Sequence, residues 1–144
     1  MEKSASVKWQ GRGKAGTGHI STESNALQDY PYGFGSRFGE DRTGTNPEEL
    51  LGAAHAACFT MAFSFACDKA GFATDAVQTT ATVSLTKAGD GFEISSIHLT
   101  LNARISAIDE ATFQRLAASA KQDCPLSKAL KGVAAISLQA TLQR

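Results

Sequence analysis

The chain has 144 residues, 42% of them apolar, with 14 basic and 14 acidic side chains and a formal net charge of zero. That size and composition fit a single domain over residues 1–144 with an apolar core of its own. The neutral balance speaks against nucleic-acid binding and an acidic solvating tail, and it lowers one barrier to self-association.

The stretch "ASVKWQ" at residues 5–10 alternates weakly and reads as a strand. The glycines of "GRGKAG" allow a hairpin into a second strand at "GHISTES". The N-terminus lacks the apolar core of a secretory signal. "LQDYPYGFGSRFGEDRTGTNP" mixes Gly, Pro and aromatics without a period and reads as a long binding loop. Asn46-Pro47-Glu48-Glu49 then marks a helix start: an N-cap, a first-turn proline and two carboxylates at the positive dipole end. The helix is expected to run to Lys69–Ala70 and stop at Gly71, roughly 24 residues or about 36 Å. Leu50, Leu51, Ala54, Phe59, Met61, Phe63 and Phe65 surround its axis, so it should be covered on every side. It is Ala-rich and carries His55, and a membrane span needs about 20 more strongly apolar residues. The expectation is a buried soluble helix and no membrane.

Two alternating segments follow, "AVQTTATVSLTKA" and "FEISSIHLTLNARI", joined at "GD" and Gly91, with Ile97, Leu99 and Leu101 on one face. "AIDEATFQRLAASAKQD" is an amphipathic helix with Asp109 as N-cap and Phe113, Leu116, Ala117 and Ala120 inward. "CPLSKALKG" is a short helix with Pro125 at its first position and Gly132 at its end. "AAISLQATL" closes as a strand with Ile136, Leu138, Ala140 and Leu142 on one side. The class is α+β: antiparallel strands around one long central helix, with a smaller helical pair late in the chain.

Three cysteines are an odd number, and without a signal segment they point to free thiols in a reducing cytoplasm. Cys58 and Cys67 lie about 180° apart around one helix and about 13 Å apart along it, so they do not pair. Cys67, near the helix end, reads as a packing residue. Cys124 stands before Pro125 at a helix N-cap, where a thiolate is favoured; a reactive thiol and a small capping residue remain equally open. Cys58 lies mid-helix and needs an outside cation to ionise, for which Arg37 and Arg42 are available. His55, at i−3, could pair with it as a Cys/His nucleophile or be an ordinary hydrogen-bonded core histidine. No paired Cys/His spacing suggests metal, and no glycine-rich loop suggests a phosphate cofactor, so neither is expected.

Taken together, "STESNALQDYPYGFGSRF", "GTNPEELLGAAHAACF" and "DCPLSKALKG" resemble the OsmC/Ohr family of organic hydroperoxide reductases over nearly the whole length. The "PYGFGSRF" loop and "HAAC" helix look like the OsmC branch rather than the Ohr branch. The resemblance implies a two-cysteine, cofactor-free peroxidase that protects against oxidative and osmotic stress. Cys58 matches the peroxidatic cysteine, Cys124 the resolving cysteine of the Cys-Pro motif, and Glu48 the catalytic glutamate of the Asn-Pro-Glu segment. Arg37 is the choice for the catalytic arginine, with Arg42 in reserve. Tyr30, Tyr32, Phe34 and Phe38 would favour an organic peroxide. The family also implies an intertwined homodimer and a dithiol reductant, with a lipoyl-linked one as a candidate.

Helix geometry adds an independent expectation. Glu48 and Cys58 are ten residues, about 15 Å, apart on one helix. A glutamate serving a Cys58 site should therefore come from a second chain. Two other readings stay open: a non-catalytic dimeric binding module for a small apolar ligand, and a Cys–His acyl-transfer or hydrolase site.

Overall fold

The computed structural model describes residues 1–144. Its elements run β1 (Ala5–Gln10), β2 (Thr17–Thr22), β3 (Tyr30–Gly33), α1 (Phe34–Phe38), α2 (Pro47–Lys69), β4 (Thr74–Ala88), β5 (Gly91–Ile105), α3 (Glu110–Asp123), α4 (Pro125–Ala129) and β6 (Ala135–Gln143). They divide into two compact units, Met1–Leu50 and Leu51–Arg144.

In the first unit, β1, β2 and β3 form an antiparallel sheet. Gly18 sits between Trp9 on β1 and Tyr32 on β3. A Cβ there would collide with the Tyr32 ring, and one at Gly16 with the Trp9 indole, so the bare backbone lets both rings lie against the sheet. Their centroids are 5.7 Å apart. The stretch expected to be a long loop is thus partly regular. Tyr30–Gly33 pairs along β2, and Phe34–Phe38 forms a helical turn. Four residues are too few to show a period, and Pro31 is tolerated because β3 is an edge strand.

In the second unit, β4 and β5 form an antiparallel hairpin closed between Ala88 and Gly91, with Gly89 at φ +58°. Alternation along β5 buries Ile97, Leu99, Leu101, Ala103 and Ile105. Asp109 accepts the Thr112 N–H at 2.9 Å and starts α3, which buries Phe113, Leu116, Ala117 and Ala120 as its spacing predicts. One pairing corrects the antiparallel expectation: β6 runs parallel to β5. The chain reaches β6 through α3 and α4, and such a helical crossover returns it in the same direction.

The long helix α2 starts as its sequence requires. Asn46 Oδ1 accepts the Glu49 N–H at 2.8 Å. At its other end Gly71 adopts φ +87°, and Phe72 N–H reaches back to the Cys67 carbonyl at 2.9 Å. His55, Phe59, Phe63 and Cys67 are all fully buried. Phe63 lies against Phe59 and edge-on to Phe113, with centroids 6.5 and 5.7 Å away. By length and hydropathy α2 could cross a membrane; this buried row belongs to the core of the second unit. The chain does not cover α2 on every side, however. Met61 and Phe65 are 60% and 67% exposed. Within the second unit, one sheet and α3 pack on the buried face of the helix and leave these two side chains uncovered.

Phe63→Ala removes the ring at the centre of this core. It should cost about 3–5 kcal/mol, read as a lower urea midpoint at unchanged slope. A loss below about 1 kcal/mol would mean that the row is not the core the packing implies.

Candidate active site

Cys124 serves two helices at once. Its N–H donates to Ala120 O at 2.9 Å and closes α3, while its carbonyl accepts the Lys128 N–H at 3.0 Å and opens α4. Its side chain caps neither helix, so the backbone is fixed and the thiol is available. That thiol meets Cys58. The two sulfurs are in hydrogen-bonding contact, and the Leu126 N–H donates to the Cys58 sulfur. Both cysteines are free, Cys124 wholly buried and Cys58 half-buried. The structure places Cys58 in contact with Cys124, 66 residues away, the two cysteines that the resemblance singles out.

Burial raises the Cys58 pKa above its ordinary value. The Leu126 N–H opposes this, and the Cys124 thiol adds to the rise. No cation is among the groups acting on it. Cys67 takes no part: it lies in the core, and burial pushes its thiol up to about 11.

His55 is held by Ser127. Its Nε2 lies 2.8 Å from Ser127 Oγ, and its Nδ1 has no partner. Neither ring nitrogen engages Cys58, so the Cys/His nucleophile pair is not formed and the core-histidine reading holds. Ser127 is the residue that sequence reasoning missed. In "CPLSKALKG" it looks like any polar residue in a first helical turn.

A second cluster lies in the first unit, where α1 ends and α2 begins. Arg37 Nη2 donates to Glu48 Oε1 at 2.7 Å, and its Nε lies 3.1 and 3.2 Å from the two carboxylate oxygens. Asn46 Nδ2 donates to Ser36 O at 3.0 Å, and Ser36 Oγ to Thr45 O at 2.8 Å, which fixes the two helix ends together. Glu48 holds the Arg37 pKa above its already high ordinary value, so the guanidinium is always charged. It stacks 5.1 Å from the Phe38 centroid. A cavity of about 410 Å³ opens beside it, lined by Trp9, Tyr32, Phe34, Arg37 and Phe38. Tyr30 does not line it, and Arg42 is exposed and makes no ion pair. Of the two candidate arginines, Arg37 alone is oriented by a carboxylate.

Burial holds the His55 pKa below its ordinary 6.5. The unfolded chain then binds this proton more readily than the folded one, so His55 favours folding above about pH 6.5 and loses that contribution as pH falls below it. Denaturant titrations from pH 7.5 to 5 should show this acid loss, and His55→Asn should flatten it. An equally steep profile in the variant would assign it elsewhere.

The family described as OsmC-like protein matches residues 39–139. Peroxiredoxin OsmC of Escherichia coli (strain K12) is 45% identical over 139 residues, 96% of each chain. The organic hydroperoxide resistance protein OhrB of Bacillus subtilis (strain 168) is 32% identical over 124 residues, 85% of this chain and 88% of that one. Its crystal structure superposes with a TM-score of 0.65 over 97% of this chain and 98% of that chain, at 30% identity. An organic hydroperoxide resistance protein OsmC from Legionella pneumophila gives a TM-score of 0.67 over 98% and 97%, at 26% identity. The match crosses from one compact unit into the other, and with near full-length relatives at this identity the chain belongs to the OsmC-like family.

Proposed function

We propose that this chain is a thiol-dependent peroxidase that reduces organic hydroperoxides to alcohols, with Cys58 peroxidatic and Cys124 resolving. The contact between the two free thiols under the Leu126 N–H carries the reading. The Cys58 thiolate attacks the terminal, hydrogen-bearing oxygen of the peroxide, an S–O bond forms and the O–O bond breaks. Cys58 becomes a sulfenic acid, and the alkoxide takes a proton to leave as alcohol. Cys124 then displaces hydroxide from the sulfenic sulfur. An S–S bond forms, and water carries away the oxygen. An external dithiol reduces that disulfide by exchange; a lipoyl-linked one is the candidate. The free thiols fit a reducing compartment, the cytoplasm.

The missing element at Cys58 is a cation, and Arg37 supplies it in this reading. Glu48 orients Arg37, and Glu48 lies about 15 Å along α2 from Cys58. The guanidinium is therefore assigned to a second copy, in a homodimer with two sites, each using the thiols of one chain and the Arg37–Glu48 pair of the other. The exposed Met61 and Phe65 on α2, and Trp9, Phe34 and Phe38 in the first unit, are the apolar surface such a dimer would bury. In it the two compact units act as one OsmC-like peroxidase domain. Arg37 holds the thiolate and hydrogen-bonds the polarised peroxide, while the aromatic cavity accepts its organic group.

One equivalent of cumene hydroperoxide should remove two thiols per chain and leave Cys67. Cys58→Ser should consume no peroxide, and Cys124→Ser should stop at the sulfenic acid and overoxidise. Peroxide turnover by Cys58→Ser at the wild-type rate would overturn the assignment. Arg37→Gln should lower peroxide reduction by about 10²–10³-fold. Co-expressed with Cys58→Ser, it should recover about a quarter of wild-type activity, because half the dimers carry one intact site. No recovery would place the arginine and the thiol in one chain.

A further inference from the structure

Resolution of the sulfenic acid demands close control of α4. The two sulfurs must move from hydrogen-bonding contact to a bond of about 2.05 Å with a C–S–S–C dihedral near 90°. Yet Cys124 is the single non-helical residue that joins α3 to the five-residue helix α4. An element that short has little stability of its own. Leu126 and Leu130 pack it on the core and the Leu126 N–H reaches Cys58; the one buried bond between side chains that ties it to α2, apart from the thiols, runs from His55 to Ser127 at 2.8 Å. The four residues form a matched pair of turns. His55 and Cys58 are three apart on α2, Cys124 and Ser127 three apart across the start of α4, and each pair shares a helix face. His55 is fully buried and Ser127 9% exposed, so water does not compete for the bond. The unpartnered Nδ1 favours one tautomer. Were the proton there, a buried N–H would have no acceptor, so the proton sits on Nε2 and is donated to Ser127 Oγ.

We infer that the His55–Ser127 hydrogen bond is a positioning clasp for the resolving step: it holds the Cys124 turn against Cys58 so that the sulfenic acid is captured as disulfide before a second peroxide reaches it. The inference rests on the peroxidase reading above. Neither residue touches the peroxide. Their effect falls on disulfide formation and leaves the attack on peroxide unchanged.

Ser127→Thr and Ser127→Val test it, because they share one shape and differ only in the hydroxyl; Ser127→Ala is the smaller probe. Each is mixed with one equivalent of cumene hydroperoxide, and three signals are followed: peroxide loss, disulfide appearance, and Cys58 sulfinic acid by intact mass as peroxide is raised. Thr should behave as wild type. Val and Ala should consume the first peroxide within about twofold of wild type but form disulfide about tenfold more slowly, the size of one lost buried hydrogen bond, with sulfinic acid at correspondingly lower peroxide. Equal disulfide rates in Thr and Val would overturn the clasp, since the hydroxyl would then be irrelevant. So would a peroxide step slowed as much as the disulfide step, which would place the pair on the thiolate instead. The wild-type chain separates the two readings. If it forms no disulfide with peroxide, the peroxidase reading fails and the clasp with it; if it does, and Val matches Thr, only the clasp fails.

Discussion

Every fourth residue of α2 from His55 to Cys67 faces the core of the second unit. Steps of four turn through about 400°, so the row advances about 40° each time and winds slowly along the helix. This one packing constraint fixes the phase of everything else on α2. It puts Phe59 and Phe63 at the centre, Cys67 among them, and Met61 and Phe65 on the uncovered side. Cys58, three residues past His55, falls at the rim of the row, half-buried and within reach of α4. The two thiols of one helix thus differ in their neighbours because they differ in phase. A buried thiol with no polar neighbour stays protonated and inert. A thiol at the rim can meet a backbone N–H and a second sulfur.

The candidate site residues fall in two preformed clusters. One holds the Cys58 and Cys124 thiols and lacks a cation. The other holds a cation already oriented by a carboxylate, beside an aromatic cavity. Holding the guanidinium with a bidentate carboxylate removes in advance most of the ordering that a long flexible side chain would otherwise undergo on meeting a ligand. An arginine held in this way keeps its charge at any working pH. The thiol is the group whose ionisation waits on its surroundings.

Most elements were legible in the chain because their signals are local. Asn46-Pro47-Glu48-Glu49 and Gly71 bound α2, Asp109 caps α3, and alternation along β5 selects the residues it buries. The stretch before α2 was less legible. β3 and α1 span four and five residues, too short for a period, and β3 exists because the edge of β2 offers hydrogen bonds and Gly18 leaves room for a ring. The antiparallel expectation missed β6, whose own alternation shows which face is buried and carries nothing about direction. Direction depends on where the preceding helices return the chain.

The functional residues divide in the same way. The sequence by itself determined which residues are candidates for the chemistry: the opposite phases of Cys58 and Cys67, the cap position of Cys124, and the charge available at Arg37 and Glu48. Each follows from helical spacing or from the nature of a side chain, and both act within a few residues. Only the tertiary structure decided which groups meet. It brought Cys58 to Cys124, chose Arg37 over Arg42 as the arginine bound to Glu48, and gave His55 a partner 72 residues away in Ser127. No periodicity encodes such pairs, because they arise when separate elements bury their apolar faces together, and the polar side chains left at those seams then bond to whatever the packing has brought beside them.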